Sequence, residues 1–345
     1  MSLFSSCLLD WYDREGRKLP WRENKDPYRV WVSEIMLQQT RIDQAKGYFT
    51  RFIDAFPTLE NLAHAEEENV LKLWEGLGYY SRARNLLKGA KSVLELRQGV
   101  FPRTKDELKK IPGIGEYTSS AISAICFDEK EIALDGNLFR VYCRVNGAKA
   151  SFDSAEAKKK ASDFFKSVLP QERAGDFNQA LMDLGETVCL PNGEPHCEYC
   201  PLRRFCKAYA EGRPLDYPLP KLKKEKTHVS LFVFLLELNG EFAVQKRKDS
   251  GLLASLYEFP NAKKEMGIQE ALRGFGIDEE PTFLGSSSHV FSHLVWDMEW
   301  YFVSCRSTPA CEDLKFVSVE DLHGKVAIPN AFSNFLKKQK LLGFR

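Results

Sequence analysis

The sequence predicts a multidomain protein: an all-α domain over residues 1–212, a linker over 213–227 and an α+β domain over 228–345. Three observations predict it. Apolar residues recur at helical spacing through the first part of the chain, with no period-two alternation. Arg213 to Lys226 is rich in proline and lysine and lacks apolar periodicity. Beyond it, strand-like runs flank Asn239-Gly240, a hairpin signal. A length of 345 residues suits two domains, and 43% hydrophobic with 28% charged residues is an ordinary globular composition.

The helical elements follow in order. Leu3, Phe4, Leu8 and Trp11 predict a helix over 2–13. Leu19-Pro-Trp-Arg22 reads as a loop. Residues 29–37 read as a helix carrying Glu34 among Val30, Trp31, Ile35, Met36 and Leu37. A carboxylate in so apolar a segment is costly unless partnered or used; the bland alternative is the exposed side of an amphipathic helix. Thr40 and Asp43 have capping-box spacing, which places Gln38 and Gln39 at a helix junction. Short helices are expected over 58–100, with Gly76-Leu-Gly-Tyr-Tyr80 as a tight connection. Its tyrosines, with Arg82 and Arg84, suit base stacking and phosphate neutralisation, or else a core tyrosine beside surface arginines.

Thr104-x-x-Glu107 reads as a second capping box, and Tyr117 to Phe127 as a buried helix. Between them Ile111-Pro-Gly-Ile-Gly115 forms a hairpin: Pro112 stops the helix, and Gly113 and Gly115 permit unusual backbone angles. The second helix then offers its N-terminal amides to an anion such as a phosphate. Asp135 follows, then helices over 154–169 and 176–188. Cys189, Cys197, Cys200 and Cys206 have the spacing C-x7-C-x2-C-x5-C. Thiolates crowd so closely only where a cation compensates them; zinc and a four-iron cluster both accept four thiolates. Strands are expected over 229–238, from Phe242, and over 283–305, with Phe291-Ser-His293 at a strand–loop junction.

Charge adds no support for nucleic-acid binding: the net charge is +1, and residues 1–212 carry 31 basic and 31 acidic side chains. Nine cysteines, an odd number with four clustered, fit a reducing cytosol. The start, Met1-Ser-Leu-Phe, has no basic n-region and apolar core, and no run is long enough to span a membrane, so a cytoplasmic protein is expected.

Taken together the motifs resemble the helix-hairpin-helix, iron–sulfur DNA glycosylases, and more closely the MutY-type adenine DNA glycosylases. The residues that carry the resemblance are Leu19-Pro-Trp-Arg22, Ser33 to Thr40, Gly76 to Tyr80, the hairpin, Leu134-Asp-Gly-Asn137, the four cysteines and Phe291-Ser-His293. The resemblance implies a helix-hairpin-helix glycosylase domain with an iron–sulfur loop and a C-terminal Nudix-like domain. It implies that adenine mispaired with 8-oxoguanine or guanine is cut from double-stranded DNA, leaving an abasic site. Glu34 matches the family's general acid/base, and Asp135 the carboxylate that stabilises or bonds the sugar cation. Hairpin dipoles are expected to keep Asp135 ionised. Gln39 and Tyr79 match wedge residues, and Thr40 and Leu77 positions near the oxidised guanine. Trp21, Arg22 and Gln179 match the adenine pocket. Ser292 and His293, beside Phe291, match groups that read the lesion.

Related endonuclease III-type enzymes carry a lysine where this chain has Tyr117, and a tyrosine cannot form an imine, so a monofunctional glycosylase is expected. Cys189, Cys197, Cys200 and Cys206 match ligands of a 4Fe-4S cluster, although the first gap is seven residues where the family usually has six. In the Nudix-like part, Arg273 and Gly274 stand where that fold's magnesium-binding glutamates belong, so lesion reading is expected there rather than nucleotide hydrolysis. The resemblance implies no membrane, and the expected form is a bacterial, nucleoid-associated monomer.

Overall fold

The computed structural model describes residues 1–220 and 225–344. By contact density the chain divides into two units, Met1–His64 with Asn85–Leu222, and Ala65–Arg84 with Lys223–Arg345. The first unit is helical throughout its described residues. Its elements are α1 (Leu3–Glu15), α2 (Pro27–Leu37), α3 (Ile42–Ala55) and α4 (Leu59–Ala63), followed by most of a long helix described below.

Ala65–Arg84, read from sequence as part of the first domain, groups with the second unit. It holds α5 (Glu67–Leu73) and the start of α6 (Ser81–Arg97). Lys72 and Glu75 bond to C-terminal residues as well as to each other. Lys72 Nζ donates to the Val326 carbonyl at 2.9 Å, and the Ile328 amide donates to Glu75 at 2.7 Å. Helical periodicity identifies such a segment as amphipathic but carries no record of which core it faces.

The rest of the first unit comprises α7 (Lys105–Leu108), α8 (Glu116–Phe127), α9 (Gly136–Asn146), α10 (Ala155–Val168), α11 (Ala174–Thr187) and α12 (Lys207–Ala210). Helix α8 packs against α2 and α11, and α11 against α9. Local signals explain the starts. Asp26 caps α2 through the Tyr28 amide with Pro27 in the first turn, and Ser154 caps α10. Two caps differ from expectation. Thr104 occupies the N-cap of α7 but makes no capping bond, and Glu107 pairs with Arg97 and Lys110 instead. Helix α3 is capped by Arg41 without a side-chain bond, because Gln39 takes a left-handed φ of 60° that turns Thr40 away from the helix amides.

Gly113 has φ 84°, and a Cβ there would meet Asn85 Cβ at 2.8 Å, so the hairpin demands glycine on both counts. The linker region is only partly a linker. Tyr217 is buried, its carbonyl accepts from Arg144 Nε at 3.2 Å, and the Leu219 amide donates to Ala150 O at 2.9 Å. Residues 221–224 of the expected linker lie outside the described residues.

The second unit contains β1 (Thr227–Leu238), β2 (Glu241–Lys246), β3 (Tyr257–Glu258), β4 (Asn261–Lys263), α13 (Ile268–Gly274), β5 (Thr282–Val290), β6 (Leu294–Ser304), β7 (Leu314–Val317), α14 (Val319–Gly324) and α15 (Asn330–Gln339). Its mixed sheet runs β3-β2-β1-β6-β5, with β4 on β1 and β7 on β2. Among the described residues only β1 and β6 pair in parallel, from Thr227 opposite Leu294 to Glu237 opposite Ser304. Asn239 and Gly240 take φ 54° and 85°, the two positive values a tight β1–β2 turn requires. Alternation along β6 puts Trp296, Met298 and Trp300 into one core with Phe332 and Phe335 of α15. The opposite face packs Phe234, Leu236 and Val303 on Ala271 and Leu272 of α13.

Candidate active site

Glu34 is 6% exposed, so the amphipathic-surface alternative does not hold. The Tyr117 hydroxyl, on α8, donates to Glu34 Oε2 at 2.7 Å. Burial pushes the Glu34 carboxyl up to about 7; the tyrosine bond and the Arg22 charge oppose the rise, and the Asp135 charge adds to it. Burial and the two carboxylates push the Tyr117 hydroxyl well above its ordinary value, so it remains a donor.

Asp135 is the N-cap of α9. Its Oδ1 accepts from the Leu138 amide at 2.7 Å, and its Oδ2 from Asn137 Nδ2 at 3.0 Å. The expected electrostatics need correcting in two respects. The stabilising amide belongs to α9 itself rather than to the hairpin, and burial outweighs it, pushing Asp135 up to about 6. The helix-terminal amide and the Arg140 charge only moderate the rise.

Glu34, Tyr117 and Asp135 line one cavity of about 730 Å³ within the first unit, together with Trp21, Arg22, Gln39, Thr40 and Gln179. Trp21 and Gln179 are buried, and Gln39 is exposed at a left-handed backbone position. The Thr40 hydroxyl is buried without a hydrogen-bond partner among the described residues. Arg22 lies in a short 3-10 turn, Pro20–Arg22, where a loop was expected. Both its terminal nitrogens donate to Asp183, at 2.7 and 2.9 Å, while Arg17 Nη2 reaches the same carboxylate at 2.6 Å. Asp183 is fully buried, and despite that burial the two arginines hold its pKa below the usual carboxylate range.

Sequence reasoning missed Arg17, Asp183 and Glu186. The signal available was Gln179, Asp183 and Glu186 at helical spacing on α11, three polar residues among apolar ones. Gly185, on that helix, has no room for a side chain: a Cβ there would meet Asn137 Cβ at 2.6 Å. The Asn137 amide is fixed on three sides, giving Nδ2 to Asp135 and to Glu186 Oε1 (2.9 Å) and receiving Arg140 Nη2 on Oδ1 (2.9 Å).

The cysteine loop adjoins α9. Arg140 Nε donates to the Cys189 carbonyl at 2.8 Å, and Arg144 Nη1 to Cys189 Sγ at 3.1 Å. Cys189, Cys200 and Cys206 pack on the same core. Burial pushes the Cys200 thiol up to about 12; the Leu202 amide opposes the rise, and the Cys189, Cys206 and Cys197 charges add to it. Among the described residues, no three His, Cys, Asp or Glu side chains gather closely enough to hold a single metal ion.

In the second unit, Leu77, Tyr79, Phe291, Ser292 and His293 line a separate cavity of about 660 Å³. Phe291, Ser292 and His293 form the β5–β6 turn, in which Ser292 Oγ lies 3.2 Å from His293 Nδ1 and Lys226 Nζ donates to the Phe291 carbonyl at 2.7 Å. Leu77 is buried, and Tyr79 is 48% exposed with φ 49°. Arg82 and Arg84 are not presented outward as phosphate contacts would be. Arg82 Nη2 donates to the Gly78 carbonyl at 3.1 Å, and Arg84 Nη1 to the Ala254 carbonyl at 2.6 Å.

Comparison with known proteins identifies relatives of both parts of the chain. Residues 32–167 match the HhH-GPD superfamily of base excision DNA repair proteins, and residues 232–338 match the NUDIX domain. The chain is 34% identical over 372 residues to the adenine DNA glycosylase of Mus musculus, covering 90% of this chain and 72% of that protein. It is 36% identical over 294 residues to the adenine DNA glycosylase of Buchnera aphidicola subsp. Schizaphis graminum, covering 84% of each. A thermostable thymine-DNA glycosylase superposes with a TM-score of 0.55 at 27% identity, covering 61% of this chain and 96% of that one.

Proposed function

The chain belongs to the adenine DNA glycosylases, and from that premise we propose that it releases adenine paired with 8-oxoguanine or guanine in duplex DNA without cutting the strand. The observation that carries the reading is the meeting of Glu34, Tyr117 and Asp135 in one cavity, with both carboxylates raised by burial. Cleaving an N-glycosidic bond needs an acid for the leaving group and an anion for the oxocarbenium-like sugar. At neutral pH a carboxyl titrating near 7 still holds its proton part of the time, and one near 6 is mostly ionised.

Glu34 protonates adenine N7, the glycosidic electron pair leaves with the base, and Asp135 stands against the sugar cation. Water then adds at C1′ and gives its proton to the Glu34 carboxylate, which restores the acid. Trp21 and Gln179 shape the pocket for a base extruded from the stack, a step costing roughly a few kcal/mol. Arg22, held by Asp183, acts through its charge on Glu34. Gln39 and Tyr79 act as wedges, which suits exposed side chains on left-handed backbone. Thr40, whose hydroxyl is buried, and Leu77 each match a position that the resemblance assigns to the oxidised guanine. The α8 amides behind Gly113 and Gly115 hold a backbone phosphate. In the second unit, Phe291, Ser292 and His293 read the oxidised guanine.

Cys189, Cys197, Cys200 and Cys206 would hold the 4Fe-4S cluster that the family resemblance implies; three of them pack on one core, and the Cys189 sulfur accepts from Arg144. When bound, the cluster supplies the positive charge that compensates four thiolates.

Tyr117 lines the catalytic cavity where the resemblance puts the lysine of strand-cleaving relatives, and a tyrosine hydroxyl cannot form an imine. The test is a duplex with one adenine opposite 8-oxoguanine, analysed with and without alkali. Fragments only after alkali support the reading; breaks without alkali at the rate of base loss contradict the monofunctional assignment.

A further inference from the structure

We propose that Glu186 is a positioning residue for Asp135, acting through the Asn137 amide that bridges the two carboxylates. The inference rests on the catalytic role read for Asp135 above. Asn137 Nδ2 donates to Asp135 Oδ2 at 3.0 Å and to Glu186 Oε1 at 2.9 Å. Arg140 Nη2 donates to Asn137 Oδ1, which fixes the direction of the amide. Both amide protons are then committed, one to each carboxylate. Without Glu186, one proton loses its acceptor and the Asn137 rotamer loses an anchor. Because Gly185 leaves Asn137 no space on the α11 side, Glu186 fixes the amide where backbone packing already confines it.

The second contribution is charge. Glu186 is exposed, lines the cavity and faces Asp135 as a like charge that disfavours ionisation of the inner carboxylate. The other charged or titratable groups facing Asp135 are Arg140 on its own helix, Glu34 on α2, Tyr117 on α8 and Arg22 at the cavity wall. Arg140 and Glu186 both bond the Asn137 amide that holds Asp135, Arg140 on its oxygen and Glu186, the acidic one, on its nitrogen.

Two variants separate the contributions. Glu186→Gln keeps an acceptor for Asn137 and removes the charge, whereas Glu186→Ala removes both. Single-turnover adenine release from a duplex with adenine opposite 8-oxoguanine is followed against pH. The acid limb, where Asp135 takes up its proton, moves to lower pH in Glu186→Gln. Glu186→Ala shows the same shift and in addition a plateau on the order of tenfold below that of Glu186→Gln, the cost of a misplaced reacting group. An acid limb unmoved in Glu186→Gln overturns the electrostatic half, and equal plateaus in the two variants overturn the positioning half. Wild-type protein that releases no adenine overturns the functional reading and the inference together; wild-type release with unmoved limbs and equal plateaus overturns the inference alone.

Discussion

At the scale of single residues, the site depends on what burial does to two carboxylates. Glu34 sits in a helix that an apolar pattern alone would bury, and its cost is offset by Tyr117 and Arg22. Glu34→Gln keeps the shape and removes the proton; adenine release should fall by roughly 100- to 10,000-fold, the usual worth of general acid help, while a binding assay shows the duplex still held. Tyr117→Phe removes a bond that lowers the Glu34 pKa, so Glu34 keeps its proton to higher pH and the basic limb of the rate profile should move upward. A downward or absent shift would show that Tyr117 does not act on Glu34. Glu34 was legible in the sequence because a lone carboxylate in an apolar helix needs a reason. Asp183 was not, because its partners Arg17 and Arg22 lie more than 160 residues away in the chain and neither reads as unusual alone.

At the scale of elements, α9 and α11 are held together at the site by the absence of a side chain. Gly185→Ala would place a methyl group 2.6 Å from Asn137 Cβ, where native packing has no slack. Forced overpacking costs about 1–3 kcal/mol, so the variant should melt at lower temperature and release adenine more slowly, with unchanged melting as the contrary result. The cysteine loop is joined to α9 by Arg140 and Arg144. Cys200→Ser should lower the iron content of anaerobically purified protein and its thermal stability; full iron retention would remove Cys200 from the ligand set. The helices themselves were legible from periodicity, and α2, α8 and α11 fall within a few residues of expectation. Cap bonds were less so. Thr40-x-x-Asp43 has the right letters, but the left-handed Gln39 turns Thr40 toward the cavity, and no spacing rule encodes that turn.

At the scale of the whole molecule, the two cavities are lined by different units, and the proposed function puts chemistry in the first and lesion reading in the second. The order of motifs made the helical and the Nudix-like parts legible, while the assignment of Ala65–Arg84 to the second unit depends on partners such as Val326 and Ile328 that local sequence cannot announce. Among the described residues, no helix is long and apolar enough to cross a membrane. Separated roles predict separable defects. Replacing Ser292 and His293 together by alanine should narrow the preference for adenine opposite 8-oxoguanine over adenine opposite guanine, with release from the guanine pair little changed; an unaltered preference would remove the β5–β6 turn from lesion reading. The most direct test of the central claim, acid help from Glu34 to a bond broken beside ionised Asp135, is the pH dependence of single-turnover adenine release. Protonated Glu34 is lost as pH rises through about 7, and ionised Asp135 is lost as pH falls through about 6. The rate should trace a bell with its maximum between those values, its limbs belonging to the coupled pair. A rate that stays level from pH 5 to pH 9, or climbs steadily across that range, would contradict it.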